Sequence, residues 1–515
     1  MLTEIIVIIL TIAAGFYWWL LNRNKYWVKR NVITRPPLLF YGNLKDRVLF
    51  KTPFHIFYRQ FYEDFKGHKY VGVYEGRIPS LMIRDPDLIK NILSKDFDHF
   101  VDRSTSRFKK NPQIEFMLIF ITGNQWKKLR AAVTPTFTSG KMKGLFSTVE
   151  DNAIKMIEHL KAQTEKNSDQ ILESVDTKDL FGKVALDIIA STAFGVQCNS
   201  FSVDGKTEFA RKIGEFNNLS IPTRMFLLSL LFLDLPGWIT KHITLSFFNK
   251  KTVDFLAQVY KDTAKYRTDN NMRRNDFLQL LLDAQKGALE EEGAVERIHK
   301  EGALINEDVA IAQSVLFFIA GYETSSSLLS MASYCLAQEK EVQDKLRNEI
   351  TNVMGDDQNL TYEKINEMQY LDMVLSETLR LYPPVARLDR VCSKPYKIDH
   401  IDLPVGHRVF IPCAGIHMDP DYYPEPEKFI PERFSAEEKA KRHPYVYMPF
   451  GLGPRNCIGM RFAQMSTKIV MAHLVKNFII EVDSETPLPF KYDERSMLLK
   501  PKGGVLKVKL RSASY

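Results

Sequence analysis

The chain has 515 residues, 45% of them hydrophobic, enough for a large core, although cores beyond about 250–300 residues usually divide unless a cofactor fills the centre. The 70 Lys and Arg against 62 Asp and Glu leave a net charge of +8, mild for this length and without the basic stripe that holds nucleic acid. Five widely spaced cysteines (Cys198, Cys335, Cys392, Cys413, Cys457) with no CxxC pair argue against a disulfide framework or a zinc site and point to a reducing compartment.

In chain order, Ile5 to Leu21 is an uncharged apolar run, near the lower end of the roughly 17–25 residues that a spanning helix needs. Tyr17, Trp18 and Trp19 stand where such a helix meets headgroups, and Arg23, Lys25, Lys29 and Arg30 follow. This pattern predicts a transmembrane anchor over residues 1–22 with the bulk of the chain in the cytosol. A cleaved signal peptide fits less well, because the positive charges follow the apolar run and bulky aromatics occupy the cleavage positions. Residues 23–50 read as a basic linker stiffened at Arg35-Pro36-Pro37, and 51–515 as one large domain.

Trp126-Lys127-Lys128-Leu129-Arg130 sets an indole N–H and a guanidinium one turn apart. Met225 to Phe232, broken by Asp234, Pro236 and Gly237 and followed by Trp238, Ile239, Phe247 and Phe248, is too interrupted to span a membrane. It reads as core helix or as a loop dipping into a membrane surface. Gln285 to Glu301, polar and acidic, reads as a surface loop before a long helix.

That helix is predicted from Glu307 to about Glu339: it lacks proline, and Val309, Ala312, Val315, Leu316, Ile319, Ala320 and Leu328 recur at helical spacing. Asn306 is the expected N-cap, with Glu307 and Asp308 in the first turn. Its middle carries Ala320-Gly321-Tyr322-Glu323-Thr324-Ser325. Gly321 weakens the helix by roughly 1 kcal/mol relative to alanine, and Thr324 and Ser325 can bond back to carbonyls and bend it. A carboxylic acid beside a hydroxyl at a loosened turn can hold water and pass protons. Taken alone, the string also suits a tolerated glycine in a core helix.

Glu377 and Arg380 share a helix face. Such a pair is usually an exposed one of little worth, but Leu375, Leu379 and Leu381 beside it argue for burial, and Arg433 in Pro431-Glu432-Arg433-Phe434 is a third charged partner. Last comes Phe450-Gly451-Leu452-Gly453-Pro454-Arg455-Asn456-Cys457-Ile458-Gly459, before a helix expected near Met460. The three glycines permit turns and close approaches that side chains block, so the loop can lie flat against a planar cofactor. A helix N-terminus and a nearby cation stabilise a thiolate. The alternative is a buried structural cysteine in a glycine-rich turn.

These motifs, in this order, resemble the cytochrome P-450 superfamily. Thr134 to Lys141 (Thr-Pro-Thr-Phe-Thr-Ser-Gly-Lys), Ala320 to Thr324 and Phe450 to Phe462 look like its animal clan of vertebrate drug-oxidising and insect detoxification enzymes. The resemblance implies a mainly α fold with a small β region, a helical prism around a buried heme b (iron protoporphyrin IX), with 51–515 as the heme-thiolate catalytic domain. It implies Cys457 as the axial thiolate and metal ligand, whose sulfur donates electron density to iron. Arg455, Trp126, Arg130, Arg390 and Arg103 would serve the heme propionates, each arginine having a solvated charge as its plain alternative. Thr324 and Glu323 would supply protons on the oxygen side. Leu316, Ile319, Ala320, Val385 and Ala386 would line an apolar pocket for lipophilic substrates. Glu377, Arg380 and Arg433 would be structural. Arg35-Pro36-Pro37 is similar to the proline hinge of microsomal members, though short, and the 225–248 stretch falls where the family roofs its active site.

The activity implied is insertion of one oxygen atom of O2 into lipophilic xenobiotics or endogenous lipids or steroids, at the cytoplasmic side of the endoplasmic reticulum membrane. No flavin or nicotinamide domain is visible, so electrons from NADPH would come through a flavoprotein reductase, with a cytochrome b-type donor as a second source. Lys127, Lys128, Lys141, Lys143, Lys439, Lys441 and Arg442 form a candidate basic docking face. Two other activities stay open at this point: a peroxide isomerase that needs no reductase, against which Thr324 after Glu323 speaks, and a non-catalytic heme carrier or sensor.

Overall fold

The computed structural model describes residues 2–104, 112–202, 249–285, 305–355 and 360–513, with the single positions 209, 212 and 242. The 225–248 stretch, apart from position 242, and residues 286–301 lie outside the described residues.

Helix α1 (Leu2–Arg23) carries the first apolar run, and Ile5, Ile6, Val7, Ile8, Leu10, Tyr17 and Trp18 on it are exposed. The segment after it, read above as a basic linker over 23–50, packs on the sheet. Trp27 is fully buried, its indole N–H donates to the Val73 carbonyl at 3.2 Å, and its backbone N–H donates to the Tyr74 hydroxyl at 3.0 Å. The ring lies so close to the sheet that a Cβ on Gly72 would stand 2.3 Å from it. Val32, Leu44 and Val48 are buried as well. Burial of these apolar side chains is what holds the segment against the sheet.

Helix α2 (Phe54–Glu63) leads to strands β1 (Tyr70–Glu75) and β2 (Ile78–Ile83). Helices α3 (Gly123–Val133) and α4 (Ser139–Thr164), strand β3 (Ile171–Asp176) and helix α5 (Thr177–Ile189) follow. Next come α6 (Lys250–Asp269), α7 (Phe277–Gln285), α8 (Glu307–Gln338), α9 (Lys340–Met354) and α10 (Gln369–Leu381). Strands β4 (Leu388–Val391), β5 (Tyr396–Ile398), β6 (Ile401–Leu403) and β7 (Arg408–Ile411) precede helix α11 (Met460–Asn477), and β8 (Phe478–Glu481) and β9 (Lys507–Ser512) end the chain. The fold is mainly α with small sheets, in the orders β1-β2-β7-β4, β3-β9-β8 and β5-β6. Only the β2–β7 pairing is parallel among these.

Helix α8 runs through the centre and packs against α5, α10 and α11. Asn306 caps it, accepting the Val309 N–H at 2.9 Å. The helix continues unbroken through Gly321. That glycine serves packing: a Cβ there would stand 2.4 Å from Cδ1 of Ile189 at the end of α5. The rings of Phe317 on α8, Phe277 on α7 and Phe462 on α11 lie in series, with centroids 5.5 and 5.8 Å apart, and tie the helix after the cysteine loop to the central one.

Candidate active site

The loop before α11 is closed by its own backbone. The Cys457 N–H donates to the Phe450 carbonyl at 2.8 Å, Gly451 N–H to Met448 at 3.0 Å and Asn456 N–H to Gly453 at 3.1 Å. Gly451 and Gly453 take φ of +69° and +74°. A Cβ on Gly453 would lie 1.8 Å from the Leu93 carbonyl oxygen, so only glycine fits. Gly459 differs from expectation: at φ −84° it is ordinary backbone, and a Cβ there would meet only Phe137 at 3.8 Å. Solvent reaches Cys457, yet burial pushes its thiol pKa up, opposed by the Gly459 N–H and by Arg103 and Arg130. The sulfur is thus exposed to solvent while Arg103 and Arg130 stand near enough to favour its thiolate.

Four guanidinium groups gather beside this loop. Arg455 is buried, donates to the Val101 carbonyl and, at 2.9 Å, to the Ile121 carbonyl, and stacks 4.6 Å from the Trp126 ring. Arg130 donates to the Asn456 carbonyl at 3.1 Å and to its side-chain oxygen at 2.9 Å. Arg103 donates to the Arg455 carbonyl at 3.2 Å. Arg390 is 1% exposed and donates to the Asp389 carbonyl at 2.8 Å. Burial, then the neighbouring Arg103, lowers the pKa of Arg390 and of Arg455 to about 9. The Arg103 Nε and the Arg390 Nε and Nη2 are buried without a hydrogen-bond partner. Buried donors in a field of excess positive charge fit an anionic group with several acceptor oxygens. The heme carboxylates are such a group, and the residues present fit heme. Arg130 and Arg455 spend their recorded bonds on the protein, fixing the loop, while Arg103 and Arg390 keep donors in hand.

On α8 the buried pattern breaks where the sequence motif lies. Ala320 is exposed and Leu316, Ile319, Glu323 and Thr324 are partly so, although the flanking turns are core. Thr324 Oγ1 donates to the Ala320 carbonyl at 2.6 Å, the back-bond expected of it. Glu323 pairs with Lys178 of α5 at 3.5 Å, and that ammonium also donates to Ser326 and Ser327 at 3.2 and 3.1 Å. Burial lowers the Lys178 pKa, with Glu323 acting against it. Lys178 is a candidate site residue that sequence reasoning missed; nothing in its local pattern marks it.

Of the two expected pocket residues after α10, only Val385 opens to space, at 38% exposure. Ala386 is fully buried with Phe54, Tyr58 and Phe410 in a separate apolar cluster, so it does not line the same space. The chain bends at Pro384 and Ala386 on either side of the Val385 bridge, and the two neighbouring side chains meet different surroundings. Arg387, whose direction the sequence leaves open, turns away to Tyr58 (2.6 Å) and Glu75.

Glu377 and Arg380 are fully buried and joined by two bonds of 2.7 and 2.8 Å. Arg433 lies 3.3 Å from Glu377, and the Ile430 N–H donates to the same carboxylate at 3.0 Å. Arg380 also donates to the His417 and Lys428 carbonyls at 2.9 and 3.2 Å. The neighbouring His417 ring accepts the Met448 N–H at 3.0 Å, which carries this network to the start of the cysteine loop.

Three of the seven residues of the expected basic face pair with carboxylates of the same chain. Lys127 pairs with Asp98, Lys143 with Glu363 and Lys441 with Glu438, each at 2.6 Å. Arg442 folds back onto the Arg433 carbonyl and lies 5.0 Å from the Tyr423 ring.

The family model described as Cytochrome P450 matches residues 34–508. Cytochrome P450 6k1 of Blattella germanica is 37% identical over 520 residues, covering 98% of this chain and 96% of its own. Cytochrome P450 3A29 of Sus scrofa is 38% identical over 441 residues, with 85% and 84% covered. Cytochrome P450 3A5 of Homo sapiens is 38% identical over 454 residues, with 87% and 86% covered.

Proposed function

The chain belongs to the cytochrome P450 family, and from that premise we propose that it is a membrane-anchored monooxygenase whose Cys457 holds heme and whose α8 faces lipophilic substrates. The enzyme class and the need for heme and for NADPH-derived electrons delivered by a reductase follow from membership. Detoxification of xenobiotics or oxidation of endogenous lipids is our reading of the substrate class, supported by the apolar character of Leu316, Ile319, Ala320 and Val385.

When bound, heme supplies reductive activation of O2. The chain supplies the rest. Cys457 would hold the iron through its sulfur, and Arg103 and Arg390 would offer the free donors to the propionates, with Trp126, Arg130 and Arg455 bracing the wall around them. Thr324 holds a hydroxyl at the accessible turn of α8, its proton given to Ala320 and its lone pairs open to accept. Glu323, kept in place by Lys178, stands next to it in the helix as the carboxylate of a proton path from the Lys178 side. Glu377, Arg380 and Arg433 lock the frame beneath the loop. Helix α1, with its apolar side chains exposed, is the anchor, and the cationic residues after it favour a cytosolic catalytic domain at the endoplasmic reticulum. Because several basic residues are already paired, reductase docking depends less on this face than the bare sequence suggests; a cytochrome b-type donor would meet the same surface.

The observation that carries the proposal is a sulfur that is accessible yet desolvated, beside buried guanidinium donors without partners. The reduced protein with carbon monoxide should give the difference spectrum of thiolate-ligated heme, and Cys457→Ser should lose it while remaining folded. Oxidation of a lipophilic probe should require both reductase and NADPH. Probe turnover that starts from an organic peroxide and is indifferent to reductase would favour the isomerase instead.

A further inference from the structure

The short segment from Pro383 to Arg387, between α10 and β4, is held at every residue. The Pro383 carbonyl accepts a 2.7 Å hydrogen bond from buried His55. The Pro384 carbonyl accepts the Leu499 N–H at 3.1 Å, Val385 forms a bridge with Leu498, and the Ala386 carbonyl accepts the Ala414 N–H at 2.9 Å. Arg387 donates to the Tyr58 hydroxyl at 2.6 Å and to Glu75, and Ser80 donates to the other Glu75 oxygen at 2.9 Å. Two of these grips are side chains of one helix. His55 and Tyr58 stand three apart on α2, on one face, and reach the first and last residues of the segment.

A carbonyl only accepts, so His55 carries its proton on Nε2. Burial lowers its pKa to about 4, so the ring stays neutral and the bond persists at ordinary pH. Helix α2 is itself seated without slack. A Cβ on Gly415 would stand 2.5 Å from the Tyr62 Cβ, and the Tyr58 ring lies 5.5 Å from Phe410 of β7. A displacement of α2 is therefore passed to Val385, the exposed side chain in the middle of the segment.

We infer that His55 and Tyr58 are positioning residues that fix where Val385 stands against bound substrate, and so govern which carbon of a lipophilic substrate is oxidised. The inference rests on the proposal above that Val385 borders the substrate space. Neither residue touches the reacting atoms; each acts through the backbone or side chain of the 383–387 segment.

The test uses full-length holoenzyme with reductase and NADPH, and a panel of steroids carrying several oxidisable carbons, scored by spin-state titration and product ratio. Tyr58→Phe removes only the hydroxyl, His55→Leu removes the ring donor, and His55→Gln keeps an N–H within reach of the carbonyl. In Tyr58→Phe and His55→Leu the carbon monoxide spectrum per protein should match wild type. Their product ratio and spin-shift dissociation constant should move by about threefold or more, a small displacement in an apolar pocket sufficing for that. His55→Gln should recover most of the wild-type ratio. A purely structural role would lower heme content and leave the product ratio of the surviving enzyme unchanged, and that result would overturn the inference. If His55→Leu does not fold, Tyr58→Phe decides by the same criterion. A wild-type protein without a thiolate-heme spectrum would instead overturn the underlying reading of the site, and this inference with it.

Discussion

Thr324 gives its hydroxyl proton to the Ala320 carbonyl, so what it presents to the accessible side of α8 is acceptor capacity on a fixed oxygen. Thr324→Ala removes that oxygen while sparing the helix, because alanine is the stronger helix former. The variant should keep heme and its carbon monoxide spectrum but consume NADPH without matching product, the excess appearing as peroxide or water. A product-to-NADPH ratio equal to wild type would sink this role. Lys178 matters at the same scale. It precedes Glu323 by most of the α5-to-α8 stretch of chain, and only the packing of these helices brings ammonium and carboxylate to 3.5 Å. Thr324 and Glu323 are proposed from a motif continuous in sequence; the Lys178 contact could not be, since a lysine in an early helical turn has no local mark of its partner. The burial of Ala386 beside exposed Val385 was likewise not marked in the sequence. The tertiary packing of Phe54, Tyr58 and Phe410 around Ala386 decided which of the two neighbours was buried.

Helix α10 and the segment ending in Arg433 are joined by a carboxylate wholly removed from water. Glu377 accepts from Arg380 and from the Ile430 N–H and faces Arg433, so its removal leaves two buried arginines without a counter-charge and a backbone donor unsatisfied. Glu377→Ala should destabilise the protein by about 3–5 kcal/mol, read as a fall in melting temperature together with loss of heme, since the network reaches Met448 through His417. A variant with wild-type melting temperature would show that the buried pair is dispensable. The pair itself could be read from a three-residue spacing among leucines. The carbonyl partners of Arg380 could not, because the residues that supply them come from a distant irregular segment. The cysteine loop is similar: its glycines were evident, but the need for Gly453 comes from Leu93, far away in the chain.

At the scale of the molecule, three of the four buried histidines among the described residues set an acid limit. Burial lowers His55 and His407 to about 4 and His417 to about 3, from 6.5. Between pH 6.5 and those values the unfolded chain binds protons that the folded chain refuses, so stability falls as pH falls. Each such group removes roughly 1.4 kcal/mol per pH unit in that window. Denaturant midpoints should therefore be flat above pH 7 and decline steadily from pH 6.5 towards 4. A midpoint independent of pH over that range would contradict the burial of neutral rings. At the other end of the molecule, deleting residues 2–22 should release the protein from the membrane fraction at high salt while Trp27 keeps the following segment docked on the sheet. Retention of the shortened protein by membranes would point to a second contact.

The sequence alone determined whatever is local: the long central helix with its Asn306 cap, the apolar run at the start, the thiol in its glycine loop and the family these imply, because capping, periodicity and motif spacing act within a few residues. Tertiary structure decided what depends on distant partners. It seated Trp27 against β1, gave Glu323 its lysine, paired Lys127 and Lys143 of the basic face with carboxylates from other elements, left Arg103 and Arg390 with free donors and held the 383–387 segment against α2. Desolvation and pairing of charge are set by which segments meet, and that is fixed only when the core closes.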